Sequence, residues 1–141
     1  MMDKILVDTN IIIDLLAKRE DFYISASRLF TLSDHHKVDL YITSLTFANT
    51  YYILSKELKP DPVKEILRKF KLLVHVLPLN EKIIDLALNS DFKDFEDAIQ
   101  YFTAIENNLE MIITRNLKDF KSTKIPVMTA ETYLKMFRNI D

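Results

Sequence analysis

Short apolar runs alternate along this chain with longer stretches in which apolar residues recur every three or four positions. Ile5-Leu6-Val7, Leu40-Tyr41-Ile42-Thr43, Val74-His75-Val76-Leu77, Met111-Ile112-Ile113-Thr114 and Val127-Met128-Thr129 are of the first kind. They are short and rich in β-branched residues, as buried strands are. Between them the spacing predicts helices over 10–19, about 22–34, 44–58, 60–72, 81–90, 95–107 and 131–140. Ile11, Ile12, Leu15 and Leu16 mark one face of the first. Asp21 is a plausible cap of the second, and His35 and His36 at its far end complement the helix dipole. Pro60 and Pro62 suit a first turn, Asn80 is placed to cap the next helix, and His75 falls on the solvent face of its strand.

Strands that alternate with helices imply an α/β fold, with a mostly parallel sheet covered on both faces and joined by right-handed crossovers. The two helices within 45–72 read as an insertion or arm on one edge. At 141 residues the chain is expected to be one domain, 1–141, with no linker to divide it. It is 48% hydrophobic and 28% charged, with no apolar run of membrane-spanning length and no secretory signal. A cytoplasmic location without membrane attachment is the expectation.

Two absences narrow the chemistry. There is no cysteine, which excludes disulfides, thiolate metal sites and cysteine nucleophiles. Any bound metal therefore takes oxygen or histidine ligands, which favours hard cations such as Mg2+ or Mn2+. There is no glycine either, which argues against Gly-rich phosphate loops. Turns with positive φ must fall to other residues, with Asn89 and Asn107-Asn108 suitably placed. The net charge of −2 is uneven, with lysine and arginine gathered at 64–71 and 118–124. Such groups are solvated helix faces or contacts for a phosphate backbone.

Acids recur where strands end and helices begin. Asp8 follows the first strand directly, Asp94 and Asp97 lie three apart around a helix start, and Asn116 and Asp119 follow the fourth strand. In an open parallel sheet such positions converge over one crevice. Each acid could be a helix cap or first-turn residue. Together they repel one another, a penalty that a divalent cation removes, and such an ion can activate water against a phosphodiester.

Over nearly its full length and in the same order, the chain resembles PIN-domain proteins, and among them VapC-type toxin ribonucleases. The stretches that carry the likeness are LVDTNIIIDLL, ITSLTFANTYYIL, DFEDAIQYFTAI and IITRNLKDF, with IPVMTAETYL a weaker one. The resemblance implies a three-layer α/β/α fold with four to five strands, and a metal-dependent endoribonuclease, commonly a homodimer neutralised by a VapB-type antitoxin. It implies Asp8, Asp94, Asp97 and Asp119 as catalytic acids, the first three as ligands of Mg2+ or Mn2+. Thr9, Asn10, Ser44, Thr114 and Asn116 would line the pocket. Arg115, Lys118 and Lys121 would hold RNA.

One position departs from the pattern. Where the family's second carboxylate, a glutamate, opens the helix after the second strand, this chain has Asn49. An amide can accept or coordinate through oxygen but carries no charge. Two functions follow: the ribonuclease, or a PIN-like RNA-binding or regulatory module with weakened catalysis. A phosphatase with Asp8 as nucleophile is disfavoured by Asn10, where that chemistry wants a second aspartate.

Overall fold

Ile5, Leu6 and Val7 have no exposed surface because strand β1 (Asp3–Val7) runs through the middle of the sheet. This computed structural model describes residues 2–140, apart from the side chains at 60 and 138–140. Met1 and Asp141, the ends of the span expected as one domain, lie outside the described residues. β2 (Val38–Thr43), β3 (His75–Leu77), β4 (Met111–Ile113) and β5 (Val127–Met128) complete a sheet in the order β3-β2-β1-β4-β5. Every neighbouring pair is parallel.

Seven helices among the described residues cover it: α1 (Thr9–Leu16), α2 (Tyr23–Asp34), α3 (Ser44–Ser55), α4 (Pro60–Phe70), α5 (Glu81–Leu88), α6 (Phe95–Glu106) and α7 (Ala130–Ile140). Alternate residues of a strand face opposite sides. Ile5 and Val7 accordingly pack with Ile12, Leu29 and Tyr133 from α1, α2 and α7, while Leu6 packs with Tyr101 and Ala104 of α6. This is the expected three-layer α/β/α arrangement. α3 and α4 are more than an arm, because Leu54, Val63 and Leu67 share a buried cluster with Ile13 of α1.

Helix ends account for the small departures. α1 stops at Leu16 and not 19, because Ala17 closes it and Lys18 turns to φ 51°. α3 ends at Ser55 and α4 at Phe70, followed by a 3₁₀ turn over Lys71–Leu73. α2 has Phe22 at its N-cap position with no side-chain bond, so Asp21 does not cap it. Asn80 does cap α5, accepting from Ile83 N at 2.9 Å. With no glycine available, Lys18, His36, Asn108 and Ser122 take positive φ, at about 1–2 kcal/mol each for residues with a Cβ. Asn108 was expected there, but Asn89 closes α5 at φ −99° instead.

The strand order also places the crevice. From β1 the chain moves outward to β2 and β3, then returns to β4 on the other side of β1. The carboxyl ends of β1 and β4 therefore flank the switch point, where open α/β sheets bind ligands.

Candidate active site

Asp8 and Thr114 are the first residues beyond β1 and β4, and they meet over that switch point. Asp8 occupies the N-cap position of α1, yet its side chain makes no capping bond. Instead its Oδ2 accepts from Thr114 Oγ1 at 2.7 Å and from Asn10 Nδ2 at 3.4 Å, and its Oδ1 accepts from Gln100 Nε2 at 3.0 Å. A buried carboxylate held by such donors is a fixed charge and not a helix terminator. Asn10 also touches Thr114 Oγ1, and its Oδ1 accepts from Arg115 N, both at 3.4 Å. Asn116 donates its backbone N–H to Thr114 Oγ1 at 3.0 Å, with its side chain exposed.

Asp97 is the crevice's second buried acid, 9% exposed in the first turn of α6. Burial, then the charges of Asp8, Asp94, Asp119 and Glu96, push its carboxyl up to about 7. Those four causes show that the fold brings the scattered acids into one field. The acids play different parts within it. Asp94 is exposed and is the N-cap of α6, its Oδ1 accepting from Asp97 N at 3.0 Å. Asp119 is exposed in the 3₁₀ turn Leu117–Asp119.

The capping role of Asp94 can be separated from its charge. Asp94→Ala is expected to cost about 1 kcal/mol in denaturant unfolding, whereas Asp94→Asn, which still caps, changes stability by only a few tenths. Equal losses in the two variants would contradict the capping assignment.

A family model described as a PIN domain matches residues 4–118, most of the chain, from β1 through β4. The chain belongs to the PIN-domain family. It is 27% identical to ribonuclease VapC1 of Aquifex aeolicus over 98% of both chains. A toxin–antitoxin complex from Klebsiella pneumoniae contains a chain that superposes with a TM-score of 0.67 at 26% identity, covering 89% of this chain and 96% of that one. VapBC-1 from nontypeable Haemophilus influenzae gives a TM-score of 0.67 at 22% identity, covering 91% and 98%, and supports the fold.

In this PIN domain several expected pocket residues have other duties. Arg115 does not stand free for RNA: its Nε and an Nη donate to the two Asp14 oxygens at 2.7 and 3.0 Å, and the guanidinium lies 4.0 Å from the Phe22 ring centre. Arg115 is thus the partner of buried Asp14, with 31% of its own side chain exposed. Ser44 Oγ accepts from Leu79 N at 3.1 Å and anchors the loop before α5. Thr43, not Ser44, caps α3, accepting from Thr46 N at 2.8 Å. Lys118 and Lys121 are exposed and line a cleft of about 610 Å³ together with Lys93, Asp94 and Asp119.

The PIN domain's crevice also contains polar residues that sequence reasoning passed over, namely Gln100, Glu96 and Thr46. Gln100 is fully buried, and among the described residues its side chain bonds to Asp8 alone. Thr9 Oγ1 donates to Glu96 Oε2 at 2.8 Å and lies 3.0 Å from Thr46 Oγ1. The available signal was Gln100 itself, a polar residue one turn beyond Asp97 inside an otherwise apolar stretch.

Among the described residues, no three histidine or acidic side chains close into one compact metal-binding group. Mg2+-type ions need less than that, since they keep several waters and take one or two protein carboxylates. The donors present suit such an ion. Asp97 carries a repulsion that a cation relieves, and Gln100 Oε1 is a buried acceptor without a partner. Metal-bound water is a donor that would satisfy it.

Proposed function

We propose that this chain is an Mg2+- or Mn2+-dependent endoribonuclease of the VapC type, working as a single domain in the cytoplasm. The observation that carries this reading is a pair of buried acids at the switch point: Asp8, fixed by three donors at the end of β1, and Asp97 in the first turn of α6, whose carboxyl is pushed up by burial and by the charge of Asp8. Asp8 and Asp97 would hold the cation, with Asp94 and Asp119 adding charge. When bound, the ion supplies a polarised water and neutralises charge on the phosphodiester.

The chain's own residues do the rest. Thr114, Asn10 and Gln100 hold the Asp8 carboxylate in one orientation. Asp97, which holds a proton near neutrality without the ion, would release it on binding the ion and serve there as a carboxylate. Lys93, Lys118 and Lys121 line the neighbouring cleft and suit an RNA backbone, which is bound chiefly through phosphate charge. Asn49 is half-buried on α3 and brings no charge, which favours the second reading, an RNA-binding module with weakened catalysis.

The same protein is proposed as the toxin of a VapBC-type pair, restrained by a VapB-type antitoxin and assembling as a homodimer. The ribonuclease and toxin–antitoxin relatives support the pairing. Between α3 and α4, Phe47, Tyr51 and Leu67 floor a groove edged by Lys64, Arg68 and Lys71, which suits a partner segment with apolar and acidic residues. Tyr52, 69% exposed on α3 and stacked edge-on against Tyr51, suits an interface between copies. No helix of the described residues is long and apolar enough to cross a membrane.

The test is incubation with single-stranded and structured RNAs plus Mg2+ or Mn2+, beside Asp8→Asn and an EDTA control. Cleavage by the wild type alone, lost with EDTA, is the expected result. Binding without cleavage supports the second reading, and cleavage by both proteins means that the nuclease is a contaminant.

A further inference from the structure

Glu96 lies at none of the positions where the family resemblance places a carboxylate, yet it reaches into the crevice. Its Oε2 accepts from Thr9 Oγ1 at 2.8 Å, and Thr9 Oγ1 lies 3.0 Å from Thr46 Oγ1. A hydroxyl has one proton and an ionised carboxylate only accepts. The bonds therefore run from Thr46 to Thr9 to Glu96, joining α3 to α6 across the end of β1. Thr46 is fully buried and precedes Asn49 by three residues, on the same side of α3. The Glu96 carboxylate is thus drawn toward the wall of the crevice where Asn49 offers only an amide.

A separate group points to a ligand in the same place. Gln100 stands one turn beyond Glu96 on the same face of α6, is fully buried, and binds Asp8 through Nε2 while its Oε1 has no partner among the described residues. A buried acceptor without a donor is costly. The waters of a hydrated cation beside Asp8 would supply the donor. We propose that Glu96 replaces, from α6, the charge that Asn49 lacks on α3, acting on the ion held at Asp8 and Asp97 through its water shell and not as a third carboxylate ligand. This rests on the cation-dependent reading above.

The experiment is calorimetric titration of the full chain with Mn2+, comparing the wild type with Asp8→Asn, Glu96→Gln, Glu96→Asp and the double variant Asn49→Glu/Glu96→Gln. Glutamine can still accept from Thr9 and removes only the charge, so Glu96→Gln is expected to weaken Mn2+ about tenfold, a typical loss for a residue supporting a metal site. Glu96→Asp should lose less, and the double variant should recover most of the affinity because the charge returns from α3. Unchanged affinity in Glu96→Gln, even with a lowered unfolding midpoint, overturns the proposal and leaves Glu96 a structural acceptor. Failure of the double variant to recover overturns the replacement of Asn49. Loss of Mn2+ in Asp8→Asn but not in Glu96→Gln keeps the cation site and rejects Glu96; a wild type that binds no Mn2+ rejects both.

Discussion

Asp97→Asn is expected to raise the stability of the metal-free protein at pH 8 while leaving it nearly unchanged at pH 4. The carboxyl is pushed from 3.8 to about 7, first by burial and then by Asp8, Asp94, Asp119 and Glu96. Between those values the folded state holds a proton that the unfolded chain has released. Stability is therefore fully present below about pH 4, falls as the pH rises through 7, and is level above it. Each unit of displacement is worth about 1.4 kcal/mol, and an amide, which does not ionise, removes the whole dependence. Denaturant unfolding from pH 4 to 8.5 gives a falling curve for the wild type and a flatter one for the variant. Superimposable curves would contradict the ionisation assigned to Asp97. The variant is also expected to lose cleavage, so that a stabilised fold accompanies an inactive site. Such a trade-off is the signature of strain retained for function.

Arg115→Ala is expected to destabilise the protein by about 3 kcal/mol, as when one partner of a buried ion pair is removed. Asp14 is 1% exposed at its side chain, so truncating Arg115 leaves a buried carboxylate without its counter-charge. The lost contact with Phe22 adds about 0.5–1 kcal/mol. Asp14 and Arg115 lie on α1 and just beyond β4, which makes the pair a clasp across the two elements that deliver Asp8 and Thr114. Asp14→Leu/Arg115→Met should stand closer to the wild type than either truncation, since no charge is then stranded. If Arg115 were mainly an RNA contact, its removal would weaken RNA binding with the unfolding midpoint intact.

The strands and helices were readable because local pattern and tertiary placement agree. Ile5-Leu6-Val7 is apolar on both faces because β1 is the central strand, and α6 begins where Asp94 stops the chain from continuing extended. Helix ends were less legible. Without glycine, the chain turns at Lys18, His36 and Ser122, of which Lys18 carries no turn signal and the other two only weak ones.

For the site, the position of Asp8 at a strand end was informative, but its choice between cap and crevice was not. That choice depends on Gln100 and Thr114, which lie 92 and 106 residues away. Asp97 and Asp119 were legible as acids and became a shared field only once β4 lay beside β1. Arg115 was legible as a cation beside the acids, but its pairing with Asp14, 101 residues away, was not. Glu96 was hidden by its neighbours, since one acid among Asp94, Glu96 and Asp97 has no distinguishing mark until Thr9 and Thr46 come to meet it.

The central claim is that Asp8 and Asp97 hold a divalent cation, and Mn2+ calorimetry at pH 6 and pH 8 in buffers of different ionisation enthalpy tests it most directly. An ion that must displace a proton from Asp97 binds about tenfold more tightly at pH 8 than at pH 6 and releases close to one proton at the lower pH. In Asp97→Asn the affinity falls and the proton release disappears. Equal affinity at both pH values, unaltered in Asp97→Asn, would contradict the account.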